Sequence, residues 1–314
     1  MRPPSPGARG CNLSTYASRA DTVGKPRLPL GKHQRLEQLT EREGLLAAEG
    51  SGANEVWASG AAYEPYVGRW SRLVAAEFVA WLQVPAGGRW LDVGCGTGAL
   101  SSAILAVAAP AAVTGVDASA AYVGFAEQTI RDERVRFAVG DAQALEEQTA
   151  SYDAAVSGLV LNFVPQPDRM LSEMARVIRP GGIVALYVWD YAGEMQLMRR
   201  FWDAAVALDP AAVELDEGQR FPNCSPPRLA EALRRAGLSG VETRPIEVPT
   251  QFRDFDDYWS PFLGGQGPAP GYAMSLGEGQ RAALRDHIRG VLPIAADGSI
   301  PLNARAWAAR GIRV

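Results

Sequence analysis

The segment Arg89–Gly98 constrains the fold of this chain more than any other part of it. It joins a short apolar run to three alternating glycines, Gly94, Gly96 and Gly98, and a carboxylate, Asp92, stands just before the first of them. Such a segment is typical of a strand that ends in a tight turn and leads into a helix. Glycine permits a positive φ and has no Cβ, so this turn can approach a nucleotide-like ligand over the strand end.

Two classes of ligand fit such a turn. A nicotinamide or flavin nucleotide fits the spacing of Gly94, Gly96 and Ala99, with Asp117 about 20 residues later as a ribose ligand. Asp92 separates the two classes, because a buried carboxylate repels a pyrophosphate but attracts the sulfonium and ammonium of S-adenosyl-L-methionine (SAM). At about 4 Å such a pair is worth roughly 1 to 4 kcal/mol. We therefore favour SAM over NAD and keep an NAD-dependent oxidoreductase as an alternative.

Two later apolar runs end in acids. The run at 112–117 closes on Asp117, which suits two ribose hydroxyls and could equally cap the helix beginning near Ser119. The run at 135–139 is followed by Asp141 and Ala142. The Asp141 carboxylate could accept the adenine amine while the next amide meets a ring nitrogen, although an exposed turn aspartate is an alternative interpretation.

Together, these ordered motifs make the chain resemble the class I SAM-dependent methyltransferases of the bacterial small-molecule and quinone-biosynthesis type. The motifs are Leu91–Gly98, Gly115–Asp117, Gly140–Ala142, Tyr152–Val156 and Arg176–Gly182. The resemblance covers about residues 63 to 190. It implies methyl transfer from SAM to a small-molecule acceptor, with S-adenosyl-L-homocysteine as product. A noncatalytic SAM-binding or scaffold protein remains a further alternative.

The motifs and the resemblance together predict the cofactor contacts. The predicted cofactor-binding residues are Tyr66, Arg69, Asp92, Gly94, Cys95, Gly96, Gly98, Asp117, Ala118, Asp141, Ala142 and Ser157. In similar enzymes the segment before the first helix folds over the methionine half of SAM, so Arg69 could pair with its carboxylate. The alternative is a surface arginine stacked on Tyr66 or Trp70.

The chain also departs from the family pattern. Leu145-Glu146-Glu147 replaces a common Leu-Pro-Phe segment, and Asn162 stands where a histidine is common. These departures concern the acceptor, not the cofactor. Methyl transfer is an in-line displacement that needs alignment more than a dedicated base. Candidate catalytic residues are Asp190 and Tyr191, after the fifth strand, and His287, which could be a general base or a structural residue.

The alternation of strand and helix signals predicts a Rossmann-like, doubly wound α/β sheet, mostly parallel with a late antiparallel strand pair. Predicted strands are Trp90–Val93, Ala112–Asp117, Val135–Val139, Asp153–Ser157, Ile183–Trp189, Gly240–Val248 and Asn303–Val314. An apolar stripe at Trp70, Leu73, Val74, Phe78, Trp81 and Leu82 predicts a preceding helix.

Composition divides the chain into three parts. Residues 1–52 are rich in Pro, Gly, Ser and Arg, which predicts a disordered tail, with a transit peptide as an alternative. Residues 53–190 form the predicted SAM-binding core, and 191–314 complete its sheet and add insertions at about 193–225 and 252–301. We expect these insertions to form a lid over the methyl group. Alternatively, Phe255, Tyr258, Trp259 and Phe262 simply anchor a short helix to the core.

Charge and cysteine content exclude other classes of protein. The net charge of −4 argues against a nucleic-acid surface. Cys11, Cys95 and Cys224 lie far apart and, with two histidines, offer neither a disulfide framework nor a zinc set. No stretch is long and apolar enough to span a membrane. We therefore expect a cytoplasmic protein with no metal; its oligomeric state is left open.

Overall fold

The computed structural model describes residues 64–264 and 267–314. The predicted tail at 1–52 lies outside the described residues, as do Cys11 and the other histidine, His33. The described part is built on one seven-stranded sheet in the order β3-β2-β1-β4-β5-β7-β6. Its strands are β1 (Arg89–Val93), β2 (Ala112–Asp117), β3 (Val135–Val139), β4 (Tyr152–Gly158), β5 (Ile178–Trp189), β6 (Leu238–Phe252) and β7 (Ile300–Arg313).

The first five strands pair in parallel, whereas β7 is antiparallel to both β5 and β6. This confirms the predicted fold class. The largest differences from the predicted strand bounds are at β5, which begins earlier than predicted, at Ile178, and at β6, which extends beyond both predicted bounds.

Helices cover the sheet. They are α1 (Arg69–Leu82), α2 (Ala99–Val107), α3 (Ala120–Thr129), α4 (Pro167–Val177), α5 (Gln196–Leu208), α6 (Glu217–Arg220), α7 (Pro226–Arg235), α8 (Phe255–Trp259), α9 (Pro268–Ser275) and α10 (Glu278–Val291). Short turns of other helical types occupy Glu64–Gly68, Leu161–Phe163, Pro210–Leu215 and Ser260–Gly264.

Helix α1 follows the predicted apolar stripe with one exception. Val74, Phe78 and Leu82 are buried, whereas Leu73 is 44% exposed, so the inclusion of Leu73 in the stripe was wrong. The buried face is a narrower stripe than the sequence pattern implied. The helix ends at Gln83, which adopts a left-handed conformation two residues before Pro85.

The β6–β7 hairpin brings the second insertion to the edge of the sheet where the parallel strands end. Trp189, the last residue of β5, pairs with Ala306, but β7 begins at Ile300 and stays paired with β6 as far as Phe252. The hairpin therefore extends past the carboxyl end of β5. The segment between Phe252 and Ile300 starts from this edge, as does the glycine turn after β1.

The aromatic residues of the second insertion pack inward. Phe255, Tyr258, Trp259 and Phe262 are all at least 94% buried, since none exposes more than 6% of its surface. Phe262 stacks on Phe201 of α5 with ring centroids 4.5 Å apart. For these side chains, the structure shows the anchoring role that the sequence left as an alternative.

Candidate functional site

The glycine turn is fixed to the neighbouring strand by its own backbone. The amides of Gly94 and Cys95 both donate to the Val116 carbonyl, at 2.7 and 3.0 Å. Gly94, Gly96 and Gly98 all have positive φ. A Cβ on Gly94 would lie 2.5 Å from Val160, whereas a Cβ on Gly96 would meet no protein atom within 4 Å. The turn therefore leaves open space at Gly96, where a ligand can approach the backbone.

Asp92 is a fully buried carboxylate at the end of β1. Ser101 Oγ, on α2, donates to Asp92 Oδ2 at 2.7 Å. Asp92 Oδ1 is buried and has no hydrogen-bond partner among the described residues. Burial raises the pKa of Asp92 to about 7, with a further increase from the charge of Asp117 and an opposing effect of the Ser101 hydrogen bond. A cation placed near this carboxylate would stabilise its charged form.

Asp117 closes the turn from the side of β2. Its Oδ2 accepts from the Gly96 amide at 2.9 Å and its Oδ1 from the Ser119 amide at 2.8 Å. Burial raises its pKa, against the effect of these two amides. The predicted capping role falls to Ser119, whose side chain accepts from the Tyr122 amide. The Asp117 carboxylate therefore lies beside the turn, and Ser119 caps the helix in its place.

A cleft with two lobes runs over the ends of β1, β2 and β4. One lobe, of 160 Å³, is lined by the glycine turn together with Ser71, Leu100, Gly158, Leu159 and Tyr187. The other, of 220 Å³, is lined by Ala118, Gly140, Asp141, Ala142 and Gln143. Gly94, Asp117, Val160 and Phe163 line both lobes. Asp117 thus lies between the two lobes, as a ribose ligand between a methionine part and an adenine part would require.

The turn after β4 also lines the cleft. Leu159 has φ of 63°, a left-handed conformation that is strained for a leucine, and its amide donates to the Tyr187 carbonyl at 2.8 Å. Val160 and Phe163 follow it into the cleft. No pattern in the sequence signals Val160 or Phe163, because an apolar run after a strand is indistinguishable from continued core.

Five predicted cofactor residues line neither lobe of this cleft, namely Tyr66, Arg69, Asp92, Gly98 and Ser157. Ser157 Oγ donates to the Val93 carbonyl, so its side chain joins β4 to β1. Arg69 Nη1 donates to Asp257 Oδ1 at 3.0 Å, and its guanidinium lies over the Trp70 and Phe252 rings. The stacking agrees with the alternative interpretation, but Arg69 Nε and Nη2 are buried without a hydrogen-bond partner among the described residues, so the pairing with the methionine carboxylate stays a prediction. Tyr66 is 1% exposed and packs on Phe262.

The three candidate catalytic residues do not form a common site. Asp190 Oδ2 accepts from the Glu194 amide and from Arg305 Nη1, at 3.0 and 3.5 Å, so it stabilises the turn after β5. The Tyr191 hydroxyl accepts from Asn162 Nδ2 at 3.3 Å, and its ring contacts Phe221. His287 is half-buried on α10 and lines neither lobe of the cleft.

Two further properties concern the described residues only. Within them, no group of three or more His, Cys, Asp or Glu side chains is arranged to hold a metal ion. None of their helices is both long and apolar enough to cross a membrane. Cys95, in the turn, is 5% exposed, and burial raises the pKa of its thiol, which suits a space-filling residue in a crowded turn.

The fold, the glycine turn and its flanking acids define a Rossmann-like nucleotide-binding protein, and comparisons with known proteins specify the family. A methyltransferase domain family model matches residues 91–186. Over 185 residues the chain is 33% identical to a demethylmenaquinone methyltransferase of Roseiflexus sp., covering 54% of this chain and 75% of that enzyme. The chain belongs to the class I SAM-dependent methyltransferases. This confirms the predicted family and, at the level of the family, the predicted cofactor and enzyme class.

Two other comparisons agree with this assignment. The chain is 34% identical over 187 residues to 2-methyl-6-phytyl-1,4-hydroquinone methyltransferase of Synechocystis, and the match covers 59% of this chain and 57% of that enzyme. Among solved structures, the YcgJ protein of Bacillus subtilis has the same fold, with a TM-score of 0.51 and 19% identity over 77% of this chain and 98% of that one.

Proposed function

We propose that this protein transfers the methyl group of SAM to a small-molecule acceptor that carries a hydroxylated aromatic ring. The observation that carries the SAM part is Asp92, a fully buried carboxylate with one oxygen that lacks a partner among the described residues. A phosphate-bearing nucleotide would place a second negative charge near it, whereas the cations of SAM offset its charge.

The residues of the cleft fit this cofactor. Asp117 would bind the ribose hydroxyls, and Asp141 with the Ala142 amide would hold adenine in the second lobe. The glycine turn would lie against the methionine part, with Asp92 behind it. When bound, SAM supplies an electrophilic methyl group. The protein's own part is to align the acceptor and to exclude water from the cleft.

The acceptor class is supported by the relatives. The Synechocystis and Roseiflexus enzymes are named after a hydroquinone and a demethylmenaquinone. Aromatic side chains of this chain lie beside the cofactor cleft in the same region as the turn after β5. Phe163 lines the cleft and contacts Phe221 with ring centroids 5.5 Å apart, and Phe221 contacts Tyr191 at 5.2 Å. Such a surface suits a planar ring.

We also propose a role for the two insertions, the absence of a nucleic-acid partner and a cellular location. The insertions at about 193–225 and 252–301 cover the acceptor from the carboxyl edge of the sheet. The net charge of −4 supports the absence of a nucleic-acid partner, and the widely spaced cysteines support a reducing, cytoplasmic location.

Two measurements test the proposal. SAM at about 100 times its dissociation constant should stabilise the full chain by about 2.7 kcal/mol, whereas NADH should leave its melting temperature unchanged. When the protein is incubated with a cell extract and SAM that is radiolabelled in its methyl group, we expect the label in a low-molecular-weight phenolic product. Stabilisation by NADH alone would contradict the cofactor. Stabilisation by SAM without any labelled product, across extracts and pure hydroquinones, would instead identify a noncatalytic SAM-binding protein.

A further inference from the structure

The short helix α6 carries a buried carboxylate, Glu217, that the sequence patterns did not single out. Glu217 is 2% exposed. Trp202 Nε1, on α5, donates to Glu217 Oε2 at 2.5 Å. A buried carboxylate is costly unless hydrogen bonds replace its lost water, and Trp202 supplies one of these bonds.

The position of α6 is fixed against the turn that follows β5. A Cβ on Gly218 would lie 3.1 Å from both Ala192 Cα and the Tyr191 carbonyl oxygen, so only glycine fits without displacing the backbone. Arg199 joins the two segments. Its guanidinium binds Asp216, the residue that caps α6, through two hydrogen bonds of 3.0 and 2.7 Å, and it donates to the Tyr191 carbonyl at 3.4 Å. The carboxylate of Glu217 is therefore held in one place.

The segment that follows α6 reaches the lining of the cofactor cleft. Phe221 follows α6 directly and contacts Phe163, which lines both lobes of the cleft. Tyr191 contacts Phe221, and the Tyr191 hydroxyl accepts from Asn162 Nδ2. Asn162 Oδ1 is buried with no partner among the described residues. Asn162 and the Tyr191 hydroxyl thus place polar atoms next to the aromatic side chains beside the cleft.

Tyr66 contributes a second unmatched polar atom near Glu217. Its hydroxyl is buried and has no hydrogen-bond partner within the described part of the chain. Burial raises the pKa of Tyr66 well above its usual value, and the charge of Glu217 raises it further, followed by the effects of Tyr191 and Tyr258. Tyr66 therefore remains a neutral phenol that can donate a hydrogen bond, while Glu217 can accept one.

From this arrangement we propose that Glu217 is the general base of the reaction and that Tyr66 orients an acceptor hydroxyl toward it. This inference rests on the proposed function. The proton of the acceptor O–H group passes to a Glu217 oxygen, and the electron pair it leaves forms the new bond to the methyl carbon. The S–C bond breaks with its electron pair retained on sulfur, which yields neutral S-adenosyl-L-homocysteine. The acceptor is thereby specified as a phenol or hydroquinone bound in its protonated form.

A binding experiment tests the base without requiring turnover. The probe is 4-nitrophenol, whose phenol and phenolate forms absorb at different wavelengths, titrated with the full chain saturated with S-adenosyl-L-homocysteine. Tyr66 lies close enough to Glu217 to respond to its charge, and Trp202 donates a hydrogen bond to it. Since burial raises the pKa of Tyr66 and of Tyr258, neither ionises over the titration. We expect the wild-type complex to prefer the phenol by about tenfold or more and Glu217→Gln to lose this preference.

Glu214→Gln is the matched control, because Glu214 is exposed and lies three positions earlier on the same insertion. It should behave as wild type. Failure of the wild-type complex to bind the phenol, or an unchanged preference in Glu217→Gln, overturns the assignment of the base. The proposed function would still stand if label from SAM entered another acceptor.

Turnover supplies the second test, with phenol and 4-nitrophenol as a pair of acceptors at a pH where only the latter is ionised. Glu217→Gln should lower the rate with phenol by about 100-fold or more, and should affect 4-nitrophenolate far less because no proton remains to be removed. The affinity for SAM should stay within about twofold of wild type. An equal loss with both acceptors would assign Glu217 to structure alone.

Discussion

At the scale of single residues, Asp92 determines how the protein responds to pH. Its pKa of about 7 in the free protein is above the usual value near 3.8, so burial makes its charged form unfavourable. The contribution of Asp92 to the free energy of unfolding is therefore most favourable below about pH 4, where the carboxyl is neutral. This contribution is lost as the pH rises through 7. A bound cation shifts this equilibrium toward the carboxylate.

We therefore expect SAM to bind more tightly as the pH rises from about 6 to 8, with a proton released on binding near the lower end of this range. Isothermal calorimetry in buffers of different ionisation enthalpy measures that proton. Asp92→Asn should remove the pH dependence and weaken SAM binding by about tenfold or more. The same variant should raise the melting temperature of the free protein more at about pH 8 than at pH 5. Affinity for SAM that falls as the pH rises would contradict this role.

The open space at Gly96 gives a second residue-scale prediction. Gly96→Val adds a side chain where no protein atom lies within 4 Å, so it should weaken SAM binding by more than about tenfold while the chain remains folded. Its positive φ makes any side chain strained. Gly181→Val is the matched control, since Gly181 also has positive φ and open surroundings but is exposed and lies outside the cleft. Equal loss of SAM affinity in both variants would show that strain, not occupancy of the cleft, is responsible.

A residue of the site can be found from the sequence only when its signal is local. Asp117 and Asp141 follow apolar runs directly, so the strand and its terminal acid can be recognised together. Arg69 shows the opposite case. Its partner, Asp257, lies 188 positions away, and no local pattern indicates which of several charged residues it meets. The burial of Glu217 could not be predicted from a local pattern either, because it depends on Trp202 and on the turn after β5.

At the scale of elements, the Arg199–Asp216 pair attaches the first insertion to the sheet. The side chains are 19% and 4% exposed, and the two hydrogen bonds are bidentate. Arg199→Lys keeps the charge but loses the second bond, so we expect a loss of about 1.5 to 3 kcal/mol in the free energy of unfolding. Acceptor turnover should fall while SAM affinity is retained, because α6 carries the proposed base Glu217 and none of its residues lines either lobe of the cleft.

Denaturant unfolding and SAM titration measure both effects. Arg228→Lys serves as control, since Arg228 and Glu231 form an ion pair that is 62% and 51% exposed, and its loss should change stability by less than about 0.5 kcal/mol. Similar behaviour of the two variants would mean that the Arg199 pair does not fix the insertion.

The bounds of the inserted elements were harder to predict than those of the core strands. In the first insertion, α5 begins only at Gln196, since the residues before it form a turn closed by Asp190. The β6–β7 hairpin is longer than predicted at its outer end, where β6 continues through Pro249, a residue that usually argues against a strand. An edge strand tolerates proline on the side that makes no ladder bonds.

At the scale of the whole molecule, the second insertion and the sheet share one core. Buried hydrophobic residues form a continuous cluster from Tyr66 of the segment before α1, through Phe262, to the strands of the sheet. Phe262 is fully buried and contacts Tyr66, Phe201 and Tyr258 with ring centroids 4.5 to 5.6 Å apart. An insertion packed in this way cannot move as a separate body without exposing that cluster to water.

Cooperative unfolding is the consequence. Phe262→Ala should lower the free energy of unfolding by about 3 to 5 kcal/mol and leave a single calorimetric transition, because the cavity lies in a core common to the insertion and the sheet. Leu263→Ala, at a neighbour that is 43% exposed, should change it by less than about 1 kcal/mol. If Phe262→Ala instead produced an early separate transition with the SAM site intact, the insertion would be an independent lid. Acceptors would then reach the cleft when the insertion opens.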